Sequence, residues 1–135
     1  MIKIKKDLQK RLETFLNTYP SQEEYGGFLF ANRLGTISEF LAIPNIHSSK
    51  NDTYQMPENA KKLAEKIADS RRIKLVAHWH NHPIPAVCSV QDCRAASTWD
   101  PLYSVLISPT GSSSYRKEYV WYFYKGIKPE KVCFV

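Results

Sequence analysis

The sequence predicts a mixed α/β domain in which helices pack on a central sheet. Two segments carry apolar residues at helical spacing, and between and after them stand short runs of β-branched and aromatic residues typical of strands. No linker, internal repeat or low-complexity tract divides the 135 residues. A chain of this length can bury one sizeable core, so we expect a single domain over residues 1–135.

Two helices are predicted from periodicity. The first covers Lys6–Tyr19 and stops at Pro20, because proline lacks the N–H that a helix needs. Its apolar residues are spaced by three and four: Leu8, Leu12, Phe15, Leu16 and Tyr19. The second covers Met56–Arg72, with Pro57 at a favoured first helical position. Its predicted buried face consists of Ala60, Leu63, Ala64, Ile67 and Ala68.

Strands are predicted where apolar runs stand between turn signals. The glycines at 26 and 27 lead into a strand over residues 28–31, and a turn over residues 32–35 joins it to a strand over Thr36–Ile43. This pair is an early hairpin. A buried strand starts at Ile73, after the second helix. A short helix over residues 89–98 is predicted next, followed by strands over Leu102–Ser108, Tyr115–Tyr124 and Val132–Val135.

The composition is that of a globular protein, with 43% hydrophobic and 24% charged residues. The net charge is +6, but the basic residues are dispersed among acidic ones. This pattern favours a solvated surface, or an acidic partner protein, over a nucleic-acid-binding face. No apolar run approaches the 18 or more residues of a membrane span, the N-terminus has no signal-peptide core, and the three cysteines show no disulfide framework. We therefore expect a cytoplasmic protein without membrane contact.

Three histidines stand at alternate positions in the strand that starts at Ile73. Residues two apart in a strand point to the same face, so His80 and His82 can reach one metal ion. Pro83 ends the strand, and the turn that follows allows Asp92 to return to the same point as a third ligand. Two imidazoles and a carboxylate, with water in the fourth position, are a ligand set that catalytic zinc uses.

Two adjacent carboxylates, Glu23 and Glu24, stand at the entrance of the first predicted strand. A pair of this kind usually lies in a solvated turn. Where a strand begins, however, a carboxylate is partly shielded from water, and burial raises its affinity for a proton. The histidine cluster downstream favours such a proton-transfer role for one of the two glutamates.

The segment from His80 to Pro83, read HNHP, followed by SVQD at Ser89–Asp92, resembles the JAMM, or MPN-plus, metallopeptidase motif. That motif is His-x-His-Pro, a short spacer and Ser-x-x-Asp. The segment EYGG at Glu24–Gly27 resembles the family's upstream Glu-x-Gly-Gly pattern, which favours Glu24 and leaves Glu23 in reserve. Six residues separate His82 from Ser89, where seven is commoner in the family. The resemblance implies a compact, prokaryotic-type JAB/MPN domain, a fold that is cytidine-deaminase-like.

The resemblance also implies a role for each residue of the motif. His80, His82 and Asp92 would bind one zinc ion per chain, which lowers the pKa of water to roughly 7. Glu24 would take a proton from the attacking water and pass it to the leaving amine. The Ser89 hydroxyl would donate a hydrogen bond to the oxygen that becomes negative. The implied reaction is hydrolysis of an amide or isopeptide bond without a covalent intermediate.

The partner that the resemblance implies is a ubiquitin-like protein, or its conjugate, with an extended C-terminal tail. The resemblance does not identify the protein substrate or the pathway. It also does not choose between a linear peptide bond and an isopeptide bond. Two alternative functions are a catalytically silent MPN scaffold, which predicts a broken motif, and a basic nucleic-acid-binding domain. The latter predicts steep loss of binding with salt and indifference to chelators.

Four neighbouring features have other interpretations. His78 shares strand parity with the predicted ligands but sits deeper in the apolar run, so a hydrogen-bonded core histidine is favoured over a ligand. Trp79 points to the opposite face and is predicted to lie in the core. The isolated His47 is expected at the surface. Cys88 and Cys93 flank the motif, and a Cys/His structural site is an alternative for them.

Overall fold

The computed structural model describes residues 1–18, 23–50, 53–82, 102–110 and 118–135. Within these ranges the chain forms two helices and eight strands. None of the helices in these ranges is long and apolar enough to cross a membrane. The elements in chain order are β1 (Ile2–Ile4), α1 (Lys6–Thr18), β2 (Gly26–Ala31), β3 (Ile37–Ile43), α2 (Ala60–Arg71), β4 (Lys74–Asn81), β5 (Tyr103–Pro109), β6 (Tyr119–Lys125), β7 (Lys128–Glu130) and β8 (Val132–Phe134).

All eight strands belong to one mixed sheet. Their order is β7-β6-β5-β4-β2-β3-β1-β8. The central strand β2 runs antiparallel to both β3 and β4, and β4 runs parallel to β5. The predicted hairpin of β2 and β3 is therefore confirmed, and so is the predicted fold class, a mixed sheet with helices packed on it.

The two helices cover opposite faces of the sheet. Leu29 of β2 packs in the same cluster as the buried leucines of α1, whereas Phe28 and Phe30 pack in the cluster that contains the alanines of α2. Successive side chains of a strand point to opposite faces, so each helix buries one face. Every residue of β2 is buried, because this strand has a helix layer on both sides.

The sheet curls so that its two edges meet. β7 and β8 stand at opposite ends of the strand order, yet Lys131 alone separates them in the chain. Across this junction the rings of Trp121 in β6 and Phe134 in β8 meet edge to face, with centroids 5.6 Å apart. Both rings belong to the core cluster around α1. The face of the curled sheet that carries both rings therefore packs against the buried leucines of α1.

Helix α2 differs from its prediction. It begins at Ala60 rather than at Met56, and Pro57 lies in the preceding turn, where its carbonyl accepts a hydrogen bond from the Ala60 N–H at 3.0 Å. Leu63, predicted to be buried, is 48% exposed. The buried residues are Ala60, Ala64 and Ala68, one per turn, with Ile67 partly buried beside them. Small side chains allow this helix to lie close to the phenylalanines of β2.

Several strand ends also differ from prediction. The glycines expected to precede β2 form its first two residues, and β8 ends at Phe134. The three-residue strands β1 and β7 were not predicted, because segments this short have no detectable period of their own. The predicted start of β6 at Tyr115 and the predicted helix over residues 89–98 lie outside the described residues.

Candidate metal centre

Three side chains meet where β2 begins and β4 ends. Glu24, His80 and His82 each offer one ligand atom, and these atoms all lie within 4.8 Å of one another. The imidazole rings of the two histidines have their centroids 5.3 Å apart. Glu24 is only 5% exposed, and both histidines are half-buried. The three residues form a group that can hold a metal ion.

The sheet register explains this convergence. Glu24 stands two residues before Gly26, and Gly26 pairs with His80 across the antiparallel strands. Beyond the last residue of β4, the His82 N–H still donates to the Ile107 carbonyl at 3.2 Å, so the backbone stays extended. His80 and His82 therefore share one face, as the period of two predicts.

Asn81 joins the two chain segments that carry the group. Its backbone N–H donates to the Tyr25 carbonyl at 2.9 Å, and its side-chain Oδ1 accepts the Tyr25 N–H at 2.5 Å. The Asn81 side chain is buried, at 6% exposure. Nothing in the sequence pattern singled out this residue, because its partner lies 56 positions away.

A loop between β3 and α2 holds the main chain of Glu24. The Glu24 N–H donates to the Lys50 carbonyl at 2.7 Å, and the Glu24 carbonyl accepts from Asn45 Nδ2 at 3.1 Å. Oδ1 of Asn45 also accepts the backbone N–H groups of His47 and Gln55. Asn45 thus stabilises the conformation of this loop and connects it to Glu24. The sequence pattern did not indicate this role.

The two glycines of β2 are required by close contacts. A Cβ on Gly27 would lie 1.7 Å from the Leu41 carbonyl oxygen, and one on Gly26 would lie 2.6 Å from the ring of Tyr54. The Tyr54 hydroxyl donates to the Ile43 carbonyl at 2.6 Å, which holds the ring in place. The ring therefore covers the start of β2 beside the metal-binding group, and it was also missed from the sequence.

His78 and Trp79 lie inside the protein on opposite faces of β4. His78 is 6% exposed, and burial, followed by the neighbouring charge of His80, lowers its pKa to about 3. Its imidazole is therefore neutral at physiological pH, and it does not belong to the metal-binding group found among the described residues. Trp79 is fully buried and donates from Nε1 to the Leu41 carbonyl at 3.3 Å. The predicted core position of Trp79 is confirmed.

The remaining predicted residues fall into two groups. Glu23 is half-buried and is not part of the metal-binding group. His47, expected at the surface, is half-buried, and its Nδ1 accepts the Ser49 N–H at 2.9 Å. The others lie outside the described residues, so their predicted roles stay predictions: Pro83, Cys88, Ser89, Asp92 and Cys93.

The donor set suits zinc. Imidazole nitrogen and carboxylate oxygen are both ligands that zinc accepts in proteins, and catalytic sites combine three protein ligands with an open position. Sulfur ligands are not needed, and the only cysteine among the described residues, Cys133, lies in β8, away from the group. Glu24, His80 and His82 therefore fit a zinc ion on chemical grounds, either as three ligands or as two imidazole ligands with the carboxylate beside the ion.

No family model and no curated protein sequence matches the chain. Solved structures match it over nearly its whole length. The solution structure of protein DSY2949 from Desulfitobacterium hafniense is 21% identical, with a TM-score of 0.77, and the match covers 100% of this chain and 93% of that chain. AF2198, a JAB1/MPN domain protein from Archaeoglobus fulgidus, is 16% identical, with a TM-score of 0.59 and 99% coverage of both chains.

A third structure is described as "JAMM: A Metalloprotease-like Zinc Site in the Proteasome and Signalosome". It is 18% identical with a TM-score of 0.55, and the match covers 100% of this chain and 98% of that chain. The 135-residue chain itself therefore has a JAB/MPN-like fold. At these identities the likeness establishes the fold alone. The carboxylate and the two histidines form a group that can hold a metal ion on that fold.

Proposed function

We propose that this protein is a zinc-dependent peptidase or isopeptidase. It hydrolyses an amide bond at the C-terminal tail of a ubiquitin-like or related protein, in deconjugation or C-terminal processing. The observation that carries the proposal is the convergence of Glu24, His80 and His82 within 4.8 Å on a JAB/MPN-like fold. The name of the JAMM structure, a metalloprotease-like zinc site, supports the same class of chemistry.

In this proposal His80, His82 and the motif residue Asp92 hold one zinc ion. Bound zinc supplies Lewis acidity that polarises the scissile carbonyl and lowers the pKa of water to about 7. The carboxylate of Glu24 accepts a proton from the attacking water and returns it to the leaving amine, and its burial beside the histidines keeps bulk water away from that transfer. The Ser89 hydroxyl donates a hydrogen bond to the oxygen that becomes negative.

The proposed substrate class rests on the sequence motif and on charge. The motif resembles that of enzymes that cut extended C-terminal tails. A chain of net charge +6 also suits an acidic partner protein. Both histidines keep part of their surface exposed, so the group is not sealed inside the protein. We take an extended tail of a ubiquitin-like protein as the substrate that these features favour.

Metal content tests the site. We expect about one zinc per chain in the purified protein and none in His82→Ala, because removing an imidazole leaves too few ligands. His47→Ala is the matched control, since it removes a histidine that lies outside the group, and it should retain zinc. Absence of zinc from the unmodified protein, even after zinc is added back, would make the hydrolase proposal wrong.

Hydrolysis tests the activity. We expect the zinc-loaded protein to release the C-terminal extension from a panel of ubiquitin-like fusions, and a chelator to stop the release. A protein that binds zinc but cuts none of the panel would support the partner-binding scaffold. Binding of RNA or DNA that falls steeply with salt and is unchanged by chelator would support the nucleic-acid-binding domain instead.

A further inference from the structure

The metal-binding group is carried by two tripeptides that meet at their middle residues. Glu24 and Gly26 flank Tyr25, and His80 and His82 flank Asn81. The two middle residues form a closed pair of hydrogen bonds, from Asn81 N–H to the Tyr25 carbonyl and from Tyr25 N–H to Asn81 Oδ1, at 2.9 and 2.5 Å. The second of these bonds depends on the side chain.

We propose that Asn81 is a positioning residue that fixes the His80 and His82 imidazoles against each other and against the Glu24 carboxylate. This inference rests on the proposed zinc site. Asn81 is the residue between the two histidines, so a shift of its backbone moves both imidazoles relative to the glutamate. Its buried side chain supplies an acceptor to Tyr25, the residue next to Glu24.

The geometry gives the side chain a role that main-chain pairing does not fill. The ladder between β2 and β4 ends at the pair of Gly26 and His80, and one further main-chain bond joins the Asn81 N–H to the Tyr25 carbonyl. Beyond that pair, Asn81 Oδ1 accepts the Tyr25 N–H in the place of a main-chain carbonyl. The side chain therefore adds a second hydrogen bond between the two segments. Residues that hold metal ligands in position without contacting the ion typically contribute about 10–100-fold to metal affinity. We expect an effect of that size here.

Two measurements test this proposal. One is zinc affinity, from competition with a chelating dye, and the other is the visible absorption spectrum of the cobalt-substituted protein. Asn81→Leu, which keeps the approximate volume but loses the acceptor, should weaken zinc binding by about 10–100-fold and change the cobalt spectrum. Asn81→Asp keeps an oxygen at Oδ1 and should restore most of the affinity and the spectrum. Activity is not needed for either readout.

Asn32→Leu is the matched control. Oδ1 of Asn32 also accepts two backbone N–H groups, from Leu34 and Thr36 at 3.0 and 3.1 Å, but in the turn at the far end of β2. This variant should lose stability while keeping the zinc affinity of the unmodified protein, which separates positioning from general destabilisation. If Asn81→Leu does not fold, the smaller change Asn81→Ala, which also lacks the acceptor, carries the same comparison.

The outcomes distinguish the two proposals. An unmodified protein that binds no zinc overturns the zinc site and the positioning role together. An unmodified protein that binds zinc, with Asn81→Leu or Asn81→Ala equal to it in affinity and cobalt spectrum, overturns the positioning role alone. Equal weakening by the Asn32 control also overturns it, because the loss would then follow from lower stability.

Discussion

Neighbouring glutamates at the entrance of β2 have different surroundings. Glu24 is 5% exposed and its carboxylate lies within 4.8 Å of ligand atoms of the histidines, whereas Glu23 is half-buried and lies outside the group. The main chain of Glu24 is held on both sides, by the Lys50 carbonyl and by Asn45. A carboxylate fixed in this way suits proton transfer, because its orientation is set before substrate arrives.

Replacing each glutamate by its amide tests this difference. Glu24→Gln should keep zinc but lower kcat by about 10²–10⁴-fold, since it removes the proton acceptor and preserves the shape of the side chain. Glu23→Gln is the control and should leave kcat unchanged. Zinc content and turnover of a cleavable fusion are the measurements. Loss of zinc from Glu24→Gln would make Glu24 a ligand rather than the base, and a comparable loss of kcat in both variants would contradict its special role.

Among the elements, α2 shows how side-chain size sets helix packing. Ala64 is fully buried against β2, whereas Leu63, its neighbour in the chain, is 48% exposed. Alanines one turn apart form a flat stripe, and a flat stripe allows a close approach to the large phenylalanine rings of the strand. Side-chain size, rather than hydrophobicity, therefore determined which face of α2 is buried.

Two substitutions in α2 test this packing. Ala64→Leu should destabilise the protein by about 1–3 kcal/mol, because the added atoms have no space between the helix and the sheet. Leu63→Ala should change the free energy of unfolding by no more than about 0.5 kcal/mol, since the side chain is half exposed and alanine favours helix. Urea unfolding measures both. The reverse ranking of the two variants would show that the leucine faces the core.

At the scale of the whole molecule, α1 and β6 are linked through a half-buried carboxyl. Glu13 Oε2 accepts the Trp121 Nε1–H at 3.0 Å, across 108 positions of the chain. Burial raises the pKa of Glu13 above 4.5, against the lowering effect of hydrogen bonds from Trp121 and Gln9, and the charge of Glu118 raises it further. The folded chain therefore binds this proton more tightly than the unfolded chain does.

The raised pKa of Glu13 predicts a pH dependence of stability. Its contribution to stability is fully present below the unfolded pKa, near 4.5, and is lost as pH rises through the folded pKa. Glu13→Gln keeps an oxygen acceptor for Trp121 but does not ionise, so it should raise the melting temperature at pH 7. The gain should shrink as pH falls through the folded pKa and should be absent below about 4.5.

Thermal unfolding between pH 3.5 and pH 8, with a chelator present to remove metal effects, measures this difference. Glu58→Gln is the control, since Glu58 is exposed, and it should follow the unmodified protein at every pH. A melting temperature of Glu13→Gln that is lower than that of the unmodified protein at pH 7 would contradict the prediction.

Local pattern was enough to place the histidines and the glutamate. The period of two puts His80 and His82 on one face, and the glycine-led strand puts Glu24 at its entrance. The residues that hold them could not be inferred in this way. Asn81 contacts Tyr25 across 56 positions, and Asn45 contacts Glu24 across 21. Such partners become neighbours only when the strands pair.

The sequence by itself determined the mixed α/β class, the first helix, the hairpin and the shared face of His80 and His82, because each of these depends on residue type and on spacing within one segment. Tertiary structure decided the strands β1 and β7, the curl of the sheet and the buried face of α2. Strands of three residues form only when neighbours supply their hydrogen bonds, and a helix face is chosen by the shape of the surface that it meets.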